Sequence, residues 1–111
     1  MALVDLDLVK RHLRVHHDDE DAEIGVYRDA AEIIAVEYLD REVVAAGETP
    51  SVEDGIVVTP AITAAILLLV GDMYEVREPD QKQGGAMLPR AVRALLAPYR
   101  VWRTYDPDMV S

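Results

Sequence analysis

The chain has 111 residues, half of them apolar, with no cysteine and a formal net charge of −10 at pH 7. This length fits one domain with a modest core, and the absence of cysteine excludes disulfides, thiolate metal sites and cysteine nucleophiles. The charge disfavours a protein that reads DNA, because phosphate backbones would repel it.

The first predicted helix covers about residues 6–14, where Leu6, Val9 and Leu13 recur at helical spacing. Asp5 precedes it as an N-cap whose carboxylate is expected to accept the first free amides. The stretch "RVHHDD" at 14–19 interrupts the helical pattern.

The second predicted helix is long and covers about residues 19–40. Apolar side chains recur along it every three or four residues and predict one continuous buried stripe. Acids crowd its first turn, where the helix dipole favours negative charge. The stripe consists of Ile24, Tyr27, Ala31, Ile34 and Tyr38, and the acidic surface of Asp18, Asp19, Glu20, Asp21 and Glu23.

Residues 43–58 predict an irregular surface loop with a short hairpin around 53–55. Thr59 and Pro60 then read as the N-cap and first position of a third helix that ends near Glu78. Its longest apolar run, at 61–70, is half of the ~20 residues that a membrane span needs. Because this run is apolar on nearly all sides, the helix is expected to be central, with neighbours or other subunits around it.

A fourth predicted helix starts near Pro89, and Pro98 limits its length. The fold class is therefore all-α, a small bundle of about four helices with a long second and a buried third helix. Residues 1–103 are expected to form one domain and 104–111 a flexible tail. The first residues predict no signal peptide.

Three histidines precede or accompany the acids of the stretch "HHDDEDAE" at 16–23, and such side chains bind divalent metals. His12 and His16 share a helical spacing, but Leu13 stands where the zinc-protease pattern has glutamate. Ser51 and Ser111 have no histidine nearby in sequence, and no phosphate-binding loop is present. We predict no enzyme, metal site or cofactor. A metal-dependent enzyme built on His12, His16 and His17 stays one alternative, and an acidic protein that mimics DNA is another.

The segment "LLAPYRVW" at 95–102 places two aromatic rings and a guanidinium beside a helix end. Tyr, Trp and Arg dominate the energetics of protein–protein contacts. The same rings could instead cap the core. A docking role for Tyr99, Arg100 and Trp102 is therefore one of two interpretations.

Four stretches together resemble the head-to-tail connector (adaptor) family of long-tailed double-stranded-DNA bacteriophages, also described as small phage DNA-packaging proteins. They are "LDLVKRHLRV", "DDEDAEIGVYRDAAEIIAVEYLDR", "TPAITAAILLLVGDMYEVRE" and "LPRAVRALLAPYRVW", which span nearly the whole chain. The resemblance implies a small helical virion protein without catalytic activity. Such a protein forms a ring beneath the portal, joins the DNA-filled head to the tail and extends the DNA channel.

The resemblance also implies partners and a location. The partners are other copies in a dodecameric ring that matches a portal, the portal protein, and the next connector, stopper or tail-completion protein. DNA only passes through the channel, and no membrane is involved. The location is the head–tail junction of the virion, with the host cytoplasm during assembly. The candidate interface residues are Tyr74, Arg77, Glu78, Arg90, Arg93, Pro98, Tyr99, Arg100 and Trp102.

Charge is spread unevenly along the chain and suggests how copies could meet. Residues 18–54 hold thirteen acids against two arginines, whereas residues 90–111 hold four arginines against two acids. A ring closes when two different patches meet head to tail, and these segments are candidates for the patches. An acidic channel lining, which would repel passing DNA, is the other use for the acids.

Overall fold

Residues 3–75 and 88–101 are described in a computed structural model of the chain. Four α-helices fall within these ranges, which confirms the all-α prediction. They are α1 (Leu6–Leu13), α2 (Asp21–Leu39), α3 (Pro60–Glu75) and α4 (Arg90–Leu96), and α4 continues into a 3₁₀ turn at Ala97–Tyr99. Two short strands, β1 (Val43–Val44) and β2 (Ile56–Val57), lie between α2 and α3. The predicted end of α3 at Glu78 and the predicted tail at 104–111 lie outside the described residues.

Both helices of the N-terminal half end in a left-handed residue. Arg14 follows α1 with φ 62°, and the amide of Val15 bonds back to the carbonyl of Lys10 at 2.9 Å. Asp40 follows α2 with φ 57°, and its amide bonds to the carbonyl of Val36 at 3.0 Å. These two residues close the last turns without glycine.

The predicted N-cap residue of α1 is confirmed but its capping hydrogen bond is wrong, whereas for α3 both the N-cap residue and its hydrogen bond are confirmed. Asp5 stands at the N-cap position, but its exposed side chain makes no capping hydrogen bond. A carboxylate that water already solvates gains little by exchanging water for an amide. Thr59 Oγ1, by contrast, accepts the amide of Ile62 at 3.2 Å, and Pro60 follows as the first helical residue.

The core forms around α3, which packs against α1, α2 and α4. The predicted stripe of α2 faces this core: Ile24 and Ala31 are fully buried, and Tyr27, Ile34 and Tyr38 pack against it half-buried. One side of α3 stays open in the single chain, since Leu68 is 41% exposed. The buried residues of α3 are Ile62, Ala65, Ile66, Leu69 and Val70, and those of α4 are Val92 and Leu96.

The loop at 43–58 contains a two-stranded sheet that is parallel, so the predicted hairpin is wrong. Val43 pairs with Ile56 and Val44 with Val57. The loop between the two strands is held close to the start of β1 by Glu42. Its Oε1 accepts the amide of Ser51 at 2.7 Å and the amide of Val52 at 3.2 Å. A carboxylate that precedes β1 thus organises the approach to β2.

Candidate interaction surfaces

Several acids at the start of α2 bind side chains of other helices within the same chain. Lys10 Nζ lies 2.7 Å from Asp18 Oδ1 and 2.7 Å from Asp21 Oδ1, and so links α1 to the start of α2. The hydrogen bond from Lys10 lowers the pKa of the Asp18 carboxyl, and the bonds to both acids raise the pKa of Lys10 above its ordinary value. Sequence reasoning missed Lys10, which lies eight residues before Asp18 and gives no local signal.

Glu20 makes a second contact of this kind, a hydrogen bond with the end of α3. The hydroxyl of Tyr74 donates a 2.8 Å hydrogen bond to Glu20 Oε2, across 54 residues of sequence. Tyr74 is a candidate interface residue from the sequence, and the structure places it in this contact between the N-cap of α2 and the end of α3. Asp19 and Glu23 remain exposed, with the side chain of Asp19 93% exposed.

The three histidines and nearby acids do not gather into a metal site. Among residues 3–75 and 88–101, no group of three or more His, Asp or Glu side chains could hold a metal ion. His17 Nδ1 accepts the amide of Asp19 at 3.2 Å in the turn before α2. His12 instead lies beside Gly71 of α3, with its Nε2 3.6 Å from where a Cβ on Gly71 would stand.

The described part of the segment at 95–102 reaches the end of α2 through its last residues. The guanidinium of Arg100 stacks over the Tyr38 ring at 4.6 Å, and the amide of Val101 bonds to the carbonyl of Leu39 at 2.9 Å. Arg41 donates through Nη1 to the carbonyl of Tyr99 at 2.9 Å. These contacts fix residues 99–101 beside the end of α2, through the Tyr99 carbonyl, the Arg100 guanidinium and the Val101 amide.

The remaining candidate residues divide into exposed ones and ones outside the described residues. Arg90 and Arg93 are exposed on α4, and Pro98 is exposed in the 3₁₀ turn. Arg77, Glu78 and Trp102 lie outside the described residues. The structure thus gathers Tyr99 and Arg100 against α2, and leaves the arginines of α4 directed away from the core.

An apolar face on α2 is a surface that sequence reasoning missed. Val26 is 65% exposed and Ile33 is 59% exposed, the two highest values among the large apolar side chains of residues 3–75 and 88–101. They are seven residues apart, which is two helical turns, and this spacing was the available signal. Beside Ile33 lies a groove of about 550 Å³, whose walls include Leu3, Val36 and Val43.

Comparison with known proteins agrees with the resemblance seen in the sequence. The family model described as "Phage gp6-like head-tail connector protein" matches residues 3–100. No curated protein and no solved structure matches the chain. None of the helices within the described ranges has the length and apolarity to cross a membrane. Since the match covers nearly the whole chain, the protein belongs to the phage gp6-like head-tail connector family, whose members are structural proteins of the bacteriophage virion.

Proposed function

We propose that this protein forms a homo-oligomeric ring beneath the portal, which joins the DNA-filled head to the tail and extends the DNA channel. The family match over residues 3–100 is the observation that carries the proposal. The ring is dodecameric, so that it matches a portal, and its far side receives the next connector, stopper or tail-completion protein. It works as a structural part of the head–tail junction and not as an enzyme, after assembly in the host cytoplasm.

Exposed apolar side chains on the single chain support a contact with neighbouring subunits that would bury them. The exposed Val26 and Ile33 on α2 and Leu68 on α3 are apolar side chains that water contacts in the isolated chain. Burial of such side chains stabilises an assembly by about 25 cal/mol for each Å² removed from water. The net charge of −10 suits a channel protein, because DNA that passes close to acids is repelled and does not bind.

The portal contact is proposed to involve the end of α4 and the segment that follows it. Pro98 is exposed there, whereas the exposed Arg90 and Arg93 lie on α4 itself and are candidates for a contact between copies. Tyr99 and Arg100 position this segment against α2. Trp102, with Arg77 and Glu78, stays a candidate from the sequence.

The test combines the purified full chain with its portal protein and examines both by electron microscopy. We expect rings on the portal, and weak oligomers or monomers of the chain alone at low concentration. A chain that stays monomeric at high concentration and also ignores the portal would contradict the proposal.

Two variants test the C-terminal cluster. Trp102→Ala is expected to block the joining of heads to tails in an assembly assay while circular dichroism shows unchanged helicity. Arg100→Ala is expected to block joining too, with an additional loss of about 1 kcal/mol in the free energy of unfolding, because it also removes the stacking on Tyr38. If both variants unfold instead, the cluster caps the core and does not dock a partner.

A further inference from the structure

The outward face of α2 combines an apolar centre with an acidic rim. Val26 and Ile33 lie two turns apart, with Ala30 between them on the same side of the helix. Asp29 and Glu37, both exposed, stand four residues before and four residues after Ile33. Arg28 contacts Asp29, with Nη2 3.1 Å from Oδ1, and offsets that acid, so the net negative charge of the rim comes from Glu37.

The outward face of α4 has the opposite character. Val92 and Leu96 are buried, and the positions on the other side of the helix are Arg90, Arg93 and Ala94, all exposed. No acid occurs in α4. Small alanine side chains allow close approach of another helix, and the two guanidinium groups can reach carboxylates at the edge of the contact.

These two faces cannot meet within one chain. Both α2 and α4 pack against α3, and each directs its buried residues to the core, so Ile33 and Arg93 point away from it on different helices. When two complementary patches lie on different sides of the same molecule, the first patch of one copy can bind the second patch of another copy. The repeated contact is head-to-tail, and it closes into a ring if the rotation permits.

We infer that the outward face of α2 in one copy binds the outward face of α4 in the next copy. Val26 and Ile33 bury against Ala94, and Arg90 and Arg93 bind the acidic rim that includes Glu37. This contact rests on the proposed ring and names the two surfaces that build it. Opposite charge at the edge fixes the partner and the register, and the contact needs both these charge pairs and the apolar centre for its affinity.

The test uses two full-length variants, each with one damaged face. Ile33→Lys places a cation opposite the arginines of the incoming α4, and Asp29 and Glu37 at four residues' distance keep the variant helix stable. Arg90→Gln with Arg93→Gln removes the charge pairs from the α4 face. Each variant alone is expected to stay monomeric in sedimentation experiments under conditions where the wild-type chain forms oligomers.

A mixture of the two variants is the decisive sample. Each variant keeps one intact face, so the mixture is expected to form a one-to-one heterodimer of twice the 12.3 kDa chain mass and nothing larger. Val52→Lys, at an apolar loop side chain that is 51% exposed, and Arg11→Gln, at an exposed arginine of α1, are the matched controls that should assemble like wild type.

The outcomes separate this contact from the proposed function. Oligomers of Ile33→Lys alone, or a mixture that stays monomeric, would overturn the α2–α4 contact while a wild-type ring on the portal still stands. A wild-type chain that never assembles, alone or with portal, would instead overturn the proposed function itself.

Discussion

At the residue scale, Glu32 holds the segment before α1 against α2. Its side chain is buried, with 7% exposed, and its Oε2 accepts the amides of Leu3 and Val4 at 2.8 Å each. The contact brings Val4, which is 2% exposed, into the core. One carboxylate therefore satisfies two backbone donors that precede the first helix and have no helical carbonyl to bond.

Glu32→Ala is expected to lower the free energy of unfolding by about 2–4 kcal/mol, because it leaves both amides without their charged acceptor. Glu32→Gln keeps an acceptor oxygen and should lose about half as much. Urea denaturation followed by circular dichroism measures both. Glu37→Ala, at an exposed position of the same helix, is the control and should change the value by less than about 0.5 kcal/mol. Equal losses at positions 32 and 37 would contradict a structural role for the buried carboxylate.

The ion pairs of Lys10 with Asp18 and Asp21 make the free energy of unfolding depend on pH under both acidic and basic conditions. A carboxyl whose folded pKa is lowered contributes stability above its ordinary pKa, 3.8 for Asp18, and loses it as the pH falls below that value. An amine whose folded pKa is raised contributes below its ordinary pKa, 10.5 for Lys10, and loses it as the pH rises above. Between these limits both contributions are present.

We therefore expect wild type to exceed Lys10→Met in unfolding free energy by a margin that is largest from about pH 5 to 9. The margin should shrink as the pH falls below about 3.8 or rises above 10.5. The difference in unfolding free energy between wild type and Asp18→Asn should likewise shrink as the pH falls below about 3.8. Urea denaturation across this pH range provides the measurement, and a margin that does not change with pH would rule out the ion pairs as its source.

At the element scale, alanine substitution at two glycines is expected to change the free energy of unfolding in opposite directions. Gly25 lies inside α2, and a Cβ there would meet nothing within 4 Å, so Gly25→Ala should raise the free energy of unfolding by about 0.5–1 kcal/mol through the gain in helix propensity. At Gly55 a Cβ would lie 2.6 Å from the Pro50 Cβ and 3.0 Å from Glu42 Oε1. Gly55→Ala should therefore displace the loop and cost about 1–3 kcal/mol. Thermal unfolding of both variants gives the comparison, and a stabilised Gly55→Ala would show that the loop yields freely.

The helices were predictable because their signals are local. The spacing of Ile24, Ala31 and their neighbours predicted the buried side of α2, and Thr59 with Pro60 predicted where α3 begins, as the hydrogen bond from the Ile62 amide confirms. The parallel pairing of β1 and β2 was not predictable, since two-residue strands carry no periodicity and the loop that leads into β2 is bonded to Glu42, a residue outside both strands.

The candidate surfaces were harder to predict than the helices for the same reason. Lys10, Glu20 and Tyr74 act through contacts between α1, α2 and α3, and no local pattern indicates which acid a distant lysine or tyrosine will bind. The apolar face of Val26 and Ile33 has a helical spacing, but its significance appears only once the opposite side of α2 is known to fill the core.

At the scale of the whole molecule, two electrostatic effects oppose each other in self-association. Every copy carries a net charge of −10, which repels other copies at long range. The α2–α4 contact proposed above attracts at short range, through Arg90, Arg93 and the acidic rim. Salt distinguishes them, because the Debye length falls from about 30 Å at 0.01 M to about 8 Å at 0.15 M, and only close pairs escape this screening.

We expect the dissociation constant for wild-type self-association to fall at least about tenfold as salt rises from about 0.01 M to 0.15 M, because the long-range repulsion is lost first. Sedimentation velocity at several salt concentrations measures the change. Asp19→Asn with Glu48→Gln removes two exposed acids outside the proposed contact, and this variant should associate more tightly than wild type at low salt and equally at 0.15 M. Association that weakens steadily from the lowest salt upward would mean that ion pairs, and not the apolar centre of the α2 face, hold the copies together.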